Sequence, residues 1–349
     1  MKKNLFMVAA VALVALVSCN KETDSPLQPA PVSDIKFEAE FVNEQTKTSL
    51  GEADSEGNRA VTWVLGDKVN INGSLFTATG YKEDGKAIFE TKNLDFATAE
   101  KYDAIYPASA GETLAAVTIP AAQDGTFANA AIAVAQSENR SLAFMNVASL
   151  IKFQVPADCS NITITSTENL AGTFPVTFGS DGLPAIGTVS SASKTITLSS
   201  SFVKGEDYYV AVLPGSHKFT VRLDGYLSKA STKAVTTSRA NIANLQALPA
   251  PKESGAYLKT SVNWSDGKVL YEDLNGWYVI KNFEIKSDNT YFKFEKEGTW
   301  TGYSGTFYLN HYSNTEKGKG DDVKINKDSY DFYFHSDQNS IWRQARLGT

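Results

Sequence analysis

The chain of 349 residues has little of what metal chemistry and covalent cross-linking need, with two cysteines and three histidines. Two cysteines make neither a disulfide framework nor a four-thiolate zinc site. A mixed zinc site would have to unite Cys19 with Cys159, far outside the close spacing such sites use. Positive charge is scarce as well. Against 39 Asp and Glu stand 33 Lys and Arg, a net charge of −6, and no basic block is long enough to track a phosphate backbone. Nucleic acid is thereby excluded as a partner, and no cofactor is implied. Catalytic signatures are missing too: there is no Gly-x-Ser-x-Gly, His-Glu-x-x-His, Gly-x-x-x-x-Gly-Lys-Ser/Thr or Gly-x-Gly-x-x-Gly. His217, His311 and His335 lack the spacing of a shared metal site, and each reads as a polar surface or turn residue. The acid pairs Glu272–Asp273, Glu295 with Glu297, and Asp321–Asp322 read as solvated turn residues rather than a glycosidase pair. Asp321–Asp322 lies near Asn326 without a calcium-loop pattern. The expectation is a protein that is not an enzyme.

The one continuous apolar run, Leu5–Val17, follows Met1-Lys2-Lys3. At 1.5 Å per residue it spans about 20 Å, short of the ~30 Å hydrocarbon core, so it reads as an export signal over residues 1–18. Leu16-Val17-Ser18-Cys19 matches a bacterial lipobox, which implies cleavage before Cys19 and attachment of fatty acids such as palmitate to it. The alternative is an ordinary signal peptide with a chance cysteine. Acyl chains contribute about 0.8 kcal/mol per buried methylene, enough for firm anchoring when several are present. Lipidation leaves Cys159 as the sole thiol, expected to be a buried or half-buried small apolar residue. Residues 19–34, with Asn20-Lys21-Glu22-Thr23-Asp24 and then Pro and Ser, read as a flexible tether. The acidic cluster resembles the surface-export signal of Bacteroidetes lipoproteins, so the expected location is the outer membrane, facing outward.

Beyond Ile35 the chain alternates with period two. Ile35, Phe37, Ala39 and Phe41 oppose Lys36, Glu38 and Glu40; Val61, Trp63 and Leu65 alternate likewise before Gly66-Asp67. Ser180-Asp181-Gly182 reads as a hairpin turn, and Thr195–Leu198, Tyr208–Leu213 and Phe219–Leu223 continue the pattern. Ala121–Gln136 is Ala-rich and suits a short helix. The fold class expected is all-β, tandem β-sandwiches. Pro249-Ala250-Pro251 and a polar stretch at Ser137–Arg140 divide the chain into 35–140, 141–249, a linker at 250–256, and 257–349.

Motifs in the first two segments carry a family resemblance. Thr46-Lys47-Thr48, Val61-Thr62-Trp63 with Gly66-Asp67-Lys68-Val69, Ala104-Ile105-Tyr106-Pro107, Phe144–Phe153, Tyr208–Pro214 and Arg239-Ala240-Asn241-Ile242 resemble, in order, the fimbrillin family. The resemblance implies two transthyretin-like sandwiches of the kind used in fimbrial subunits and related surface lipoproteins. In shaft proteins of that family an Arg-specific protease removes the first strand, and a neighbour's strand is added in its place. Arg59, after the acidic loop Gly51–Asn58, is the matching candidate; the alternative is a solvated loop arginine. The third segment occupies the end where a shaft protein keeps its donor strand, which favours a terminal subunit or a lipoprotein outside any fibre.

Residues 255–349 hold 19 of the 39 aromatics and four of the five tryptophans, about 2.5 times the density of the preceding 254 residues. Phe292 and Phe294 alternate with Lys293 and Glu295 as core residues, and Tyr330, Phe332 and Phe334 share a face opposite Tyr333. Trp264, Trp277, Trp300, Tyr303 and Trp342 sit instead beside polar residues and are candidates for stacking on sugar rings; the alternative is that they fill sandwich corners. Tyr257-Leu258, Asn263-Trp264, Gly276–Ile280, Phe292–Phe294 with Trp300, and Val323-Lys324-Ile325 before Tyr330-Asp331-Phe332 resemble one starch-binding repeat of the SusE/SusF surface lipoproteins, although Ser329 stands where that pattern often has glycine. The partners implied are a membrane through the lipid anchor, a polysaccharide or host glycan, and fimbrial subunits or an importer complex. The mature chain is expected to begin at acylated Cys19. Mass spectrometry of its N-terminus checks this, and a second species beginning at Ala60 would mark cleavage after Arg59.

Overall fold

The computed structural model describes residues 35–42, 49–50, 61–296, 299–301, 308–310, 323–335 and 340–345, several of the short outlying strands by backbone alone. Its elements are nearly all strands, with one four-residue α-helix, Phe127–Ala130, and two 3-10 turns. No helix among the described residues is long and apolar enough to cross a membrane.

Seven strands close into a barrel in the order Lys36–Phe41, Ser141–Asn146, Ala133–Ser137, Tyr102–Tyr106, Lys68–Ile71, Ser74–Tyr81, Ala87–Glu90 and back to the first. Alternation decides what faces inward: Phe37 and Ala39 are fully buried while Lys36 and Glu40 are exposed. Phe37 meets Phe76, Phe96 and Tyr102 edge-on at 4.8–6.1 Å. Trp63 is buried against Phe41, Phe89, Tyr106 and Phe144. The alternation expected through Leu65 breaks off at Trp63, and Leu65 is 56% exposed. The reason is local: the Asp67 carboxylate accepts from Val64 N at 2.8 Å and folds the chain into a turn before a further strand position forms.

The expected boundary at 140/141 falls between neighbouring strands of this one barrel. Ser141–Asn146 pairs in parallel with the first strand, Phe41 opposite Phe144, and sends Leu142 and Phe144 into the barrel core. The chain changes core at Val147-Ala148, after which Ser149–Gln154 pairs with Asp207–Val212 and Ile242–Ala247. In the other direction, Val117–Ile119 pairs with Ala171–Phe174, and Ala122–Gln123 pairs with Thr197-Leu198. Gln123 extends that short strand with its side chain: its amide accepts from Ala211 N and donates to Ala211 O, both at 2.9 Å. Gly125, at φ +80°, then turns the chain where a side chain would meet Phe202, Leu198 and Tyr208 at 3.1–3.3 Å. The hairpin at Ser180-Asp181-Gly182 forms as expected between Val176–Phe178 and Pro184–Ile186.

The C-terminal strands form one sheet in the order Thr299–Thr301, Thr290–Lys296, Glu253–Thr260, Asn263–Glu272, Trp277–Ile285, Asp328–His335, Ser340–Ala345, Tyr308–Asn310, with Val323–Ile325 also on Thr290–Lys296. Phe292, Phe294, Phe332 and Phe334 form its core as their alternation predicts, the Phe294 and Phe334 rings stacked at 4.9 Å. The linker is shorter than 250–256, because Glu253 already opens a strand and Ala256 is fully buried. Across the junction, Arg222 grips Asp273 through two parallel hydrogen bonds of 2.9 and 2.6 Å. Tyr226 packs on Tyr271 at 4.7 Å, and its hydroxyl accepts from Lys281 N at 2.9 Å.

The turn before the α-helix carries a pH dependence. Burial raises the Asp124 carboxyl, but hydrogen bonds from Thr126 N (2.9 Å), Thr126 Oγ1 (2.7 Å) and Asn129 Nδ2 (2.5 Å) outweigh it and hold the group below its ordinary 3.8. A depressed carboxyl contributes stability above its unfolded pKa and loses it as pH falls through the folded one. The stability difference between the wild type and Asp124→Asn should therefore shrink as pH falls from about 5 to about 2, read from urea midpoints at stepped pH.

Candidate functional site

In the C-terminal sheet the core-facing residues Leu258, Phe292 and Phe294 are at most 1% exposed. Period two turns the intervening residues Tyr257, Lys259, Tyr291, Lys293 and Glu295 to the opposite face. Tyr257 and Tyr291 are 38% and 40% exposed there. Register sets the rows: Tyr257 lies opposite Glu295, Lys259 opposite Lys293, and Ser261 N donates to Tyr291 O at 2.7 Å. The next strand adds half-buried Trp264, with Lys293 Nζ 5.7 Å from the centre of its ring. Lys259 Nζ reaches Glu295 Oε2 at 2.8 Å, and its stem crosses Gly267, where an added Cβ would lie 2.9 Å from Lys259 Cε and 3.0 Å from Tyr257 Cβ. The result is an open face of aromatic rings, two ammonium groups and one carboxylate. Rings of this kind match the apolar C–H faces of a sugar, and the charged groups match its hydroxyl edges.

The expected stacking residues do not form one platform. Trp264 lies on this face, and the backbone of Trp300 pairs with Glu295 at its margin. Trp277 lies farther along the sheet, opposite His335, and its ring meets the His335 ring edge-on at 5.0 Å. The backbone of Trp342 pairs with Tyr333 on the same distant strand. Tyr303, Cys19, Arg59, His311 and Asp321–Asp322 lie outside the described residues. Tyr257, Tyr291, Lys259 and Lys293 are not among the stacking candidates that the sequence offers. Their signal was present, since each alternates with a core residue, but tryptophan beside polar neighbours drew attention first.

His217 and His335, expected as polar surface or turn residues, are both buried. They are 1% and 7% exposed. His217 Nε2 donates to Leu213 O at 3.0 Å while Nδ1 meets Ser166 Oγ at 3.3 Å, and the ring lies on Phe219. His335 Nε2 donates to Asn275 O at 2.9 Å. Both serve as buried hydrogen-bonding groups that fasten turns. Beside His217 runs an open cavity of about 630 Å³ lined by Val147, Glu168, Ile186, Val189 and Arg239. Arg239 Nη1 donates to Asn146 O at 3.1 Å, so it too ties the chain where the two cores meet.

The described carboxylates of the acid pairs are engaged: Glu272 with Lys252 at 2.7 Å, Asp273 with Arg222, and Glu295 with Lys259, while Glu297 lies outside the described residues. Among the described residues no group of three or more His, Cys, Asp or Glu could hold a metal ion. Cys159 is half-buried, and burial, reinforced by Asp224 and Asp158, pushes its thiol up to about 11. It is therefore a protonated packing residue at neutral pH.

Neither a protein-family model nor a curated protein matches the sequence. Solved structures that align with the chain include a candidate cell adhesion protein from Bacteroides ovatus, with TM-score 0.38, 10% identity, and coverage of 70% of this chain and 97% of the other. A candidate cell adhesion protein from Bacteroides uniformis aligns with TM-score 0.34 and 14% identity over 68% of this chain and 96% of the other. A fimbrial protein from Bacteroides ovatus aligns with TM-score 0.26 and 12% identity over 67% of this chain and 53% of the other.

The two lysines that face each other on the open face predict a charge-dependent stability. Like charges directly opposite one another repel, and Glu295 offsets the repulsion between Lys259 and Lys293. Glu295→Gln should lower stability by about 0.5–1 kcal/mol at low salt. Raising the salt to about 0.5 M should close most of that gap, read from urea midpoints of the two proteins.

Proposed function

We propose that this chain is a non-enzymatic, lipid-anchored protein of the cell surface whose C-terminal sheet binds carbohydrate for adhesion or glycan capture. The observation that carries the reading is the outward face bearing Tyr257, Trp264 and Tyr291 beside Lys259, Lys293 and Glu295. Those aromatics add nothing to a core already sealed by Phe292 and Phe294, yet they place planar apolar area in water. Tyrosine and tryptophan supply such area at small conformational cost, which suits them as anchors for a ligand. The lipobox at Cys19 supports anchoring in the outer membrane, and the fimbrillin-like motifs of residues 35–249 support a stalk of β-sandwiches. The bidentate Arg222–Asp273 contact holds the binding sheet at the end of that stalk.

A second reading has its own observation. The ordered fimbrillin-like motifs and Arg59 favour a fimbrial anchor or tip subunit that binds only protein partners. The SusE/SusF-like motifs favour a third setting, glycan capture for a neighbouring importer.

Affinity electrophoresis of the full chain lacking its export signal, run through gels containing a panel of polysaccharides, separates these. The binding reading expects retardation by at least one glycan. Tyr257→Ala and Tyr291→Ala should each weaken it about tenfold while leaving the melting temperature within a few degrees, because both side chains project from a closed core. No retardation by any glycan, together with co-purification of fimbrial subunits from the outer membrane, would overturn it in favour of the second reading.

A further inference from the structure

We propose that the open face of the C-terminal sheet selects acidic polysaccharides, polymers whose sugar rings carry carboxylates, over neutral ones. This rests on the carbohydrate reading above and names its substrate class. Three observations lead to it.

The first is register. Lys259 and Lys293 are direct cross-strand partners on the outward face, an arrangement that costs stability through like-charge repulsion. The backbone of Lys324 stands opposite Tyr291 on the other side of the same strand, so a third basic residue enters these rows. Among the described pairings, Glu295 stands opposite Tyr257 and is engaged by Lys259, while Asp266, beside Gly267 on the next strand, lies 3.8 Å from Lys268.

The second is how the ammonium groups are held. Lys259 lies across Gly267 with its Nζ at Glu295, and a side chain at 267 would displace it. Lys293 stands with its Nζ 5.7 Å from the centre of the Trp264 ring. A charge kept beside an aromatic ring is fixed where the carboxylate of a stacked sugar would lie. A hexuronate carries its carboxylate on the ring carbon next to the ring oxygen, at the rim of the face that stacks. A neutral hexose has a hydroxymethyl group there and gains only a hydrogen bond.

The third is the contrast with the rest of the chain. The net charge is −6, and long-range attraction of a polyanion is therefore not a property of the whole protein. Selection for carboxylates has to arise locally. A half-exposed lysine pairing with a ligand carboxylate contributes a few-fold in affinity at low salt, and the contribution falls as salt rises.

The test compares polygalacturonate with the same polymer after methyl esterification, which removes the charge and keeps the sugar. Affinity electrophoresis of the full chain lacking its export signal is run on both, with poly-glutamate as an unrelated polyanion. The expected result is retardation by polygalacturonate at least about threefold stronger than by the ester, with the ratio falling toward one at about 0.5 M salt. Lys293→Gln should lower that ratio at low salt, with a melting temperature no lower than that of the wild type to show that the sheet is intact. Equal retardation by acid and ester overturns the selectivity and leaves carbohydrate binding standing. Retardation by poly-glutamate as strong as by polygalacturonate overturns it as well, since the face would then be a simple cationic patch. Retardation by neither polymer nor by any glycan of the panel removes the carbohydrate reading itself.

Discussion

Arg222 and Asp273 meet through two parallel hydrogen bonds with their side chains only 26% and 10% exposed, and this contact ties the C-terminal sheet to the module before it. The linker between the second module and the sheet is only a few residues long, and Pro249 O accepts from Ser228 Oγ at 2.7 Å while Lys252 O accepts from Glu272 N at 2.7 Å. A planar guanidinium on a carboxylate fixes direction as well as distance, which a single lysine contact would not. Asp273 also accepts from Leu274 N at 2.7 Å, so the same carboxylate caps the short turn leading into Trp277–Ile285. Around it, the Tyr226 hydroxyl bonds the backbone of Lys281, and Lys281 Nζ reaches Asp331 at 3.0 Å and the Tyr333 hydroxyl. One strand pair of the second sandwich is thus tied to two strands of the sheet.

The first two modules are joined by a different device, shared burial. Ile105, Val117, Ile119 and Val134 come from the part of the sequence that builds the barrel, yet they lie in the core of the second sandwich. Residues 117–119 supply a strand to the second module before the chain returns to complete the barrel with Ala133–Ser137 and Ser141–Asn146. Cutting the chain at 140/141 would remove strands from both cores. The two modules thus share residues across their cores, while the C-terminal sheet has a core of its own.

Period two made the strands legible. Phe37 and Ala39, Phe292 and Phe294, and Tyr330, Phe332 and Phe334 all lie on the faces their spacing predicts. Pairing between distant strands leaves no trace in a single local pattern. Ser141–Asn146 reads equally well as the last strand of one module or the first of the next, and only its parallel register with Lys36–Phe41 decides. The histidines were misread for a related reason: burial of a polar ring depends on carbonyls such as Leu213 O and Asn275 O, which no spacing rule reveals. At the site, residue type outweighed pattern. Trp277 and Trp342 are marked in the sequence by their polar neighbours, whereas Tyr257 and Tyr291 belong to strands whose pairing brings them together on one face.

The proposed binding face and the core of this sheet draw on different residues. Its core is closed by Phe292, Phe294, Phe332 and Phe334, so the outward rings are not needed to exclude water from it. The outward residues carry their own balance of charge, with Glu295 holding Lys259 beside Lys293. An edge or loop site would have to be ordered on binding, at an entropic cost for each side chain fixed. Here neighbouring strands already set the spacing of rings and ammonium groups at the period of a pleated sheet. A polymer laid across the strands meets a row of such groups at each step, so weak contacts can add along its length. On the carbohydrate proposal, a shallow, half-exposed face of this kind suits a repeating ligand better than a small one, because affinity would then come from repetition and not from enclosure.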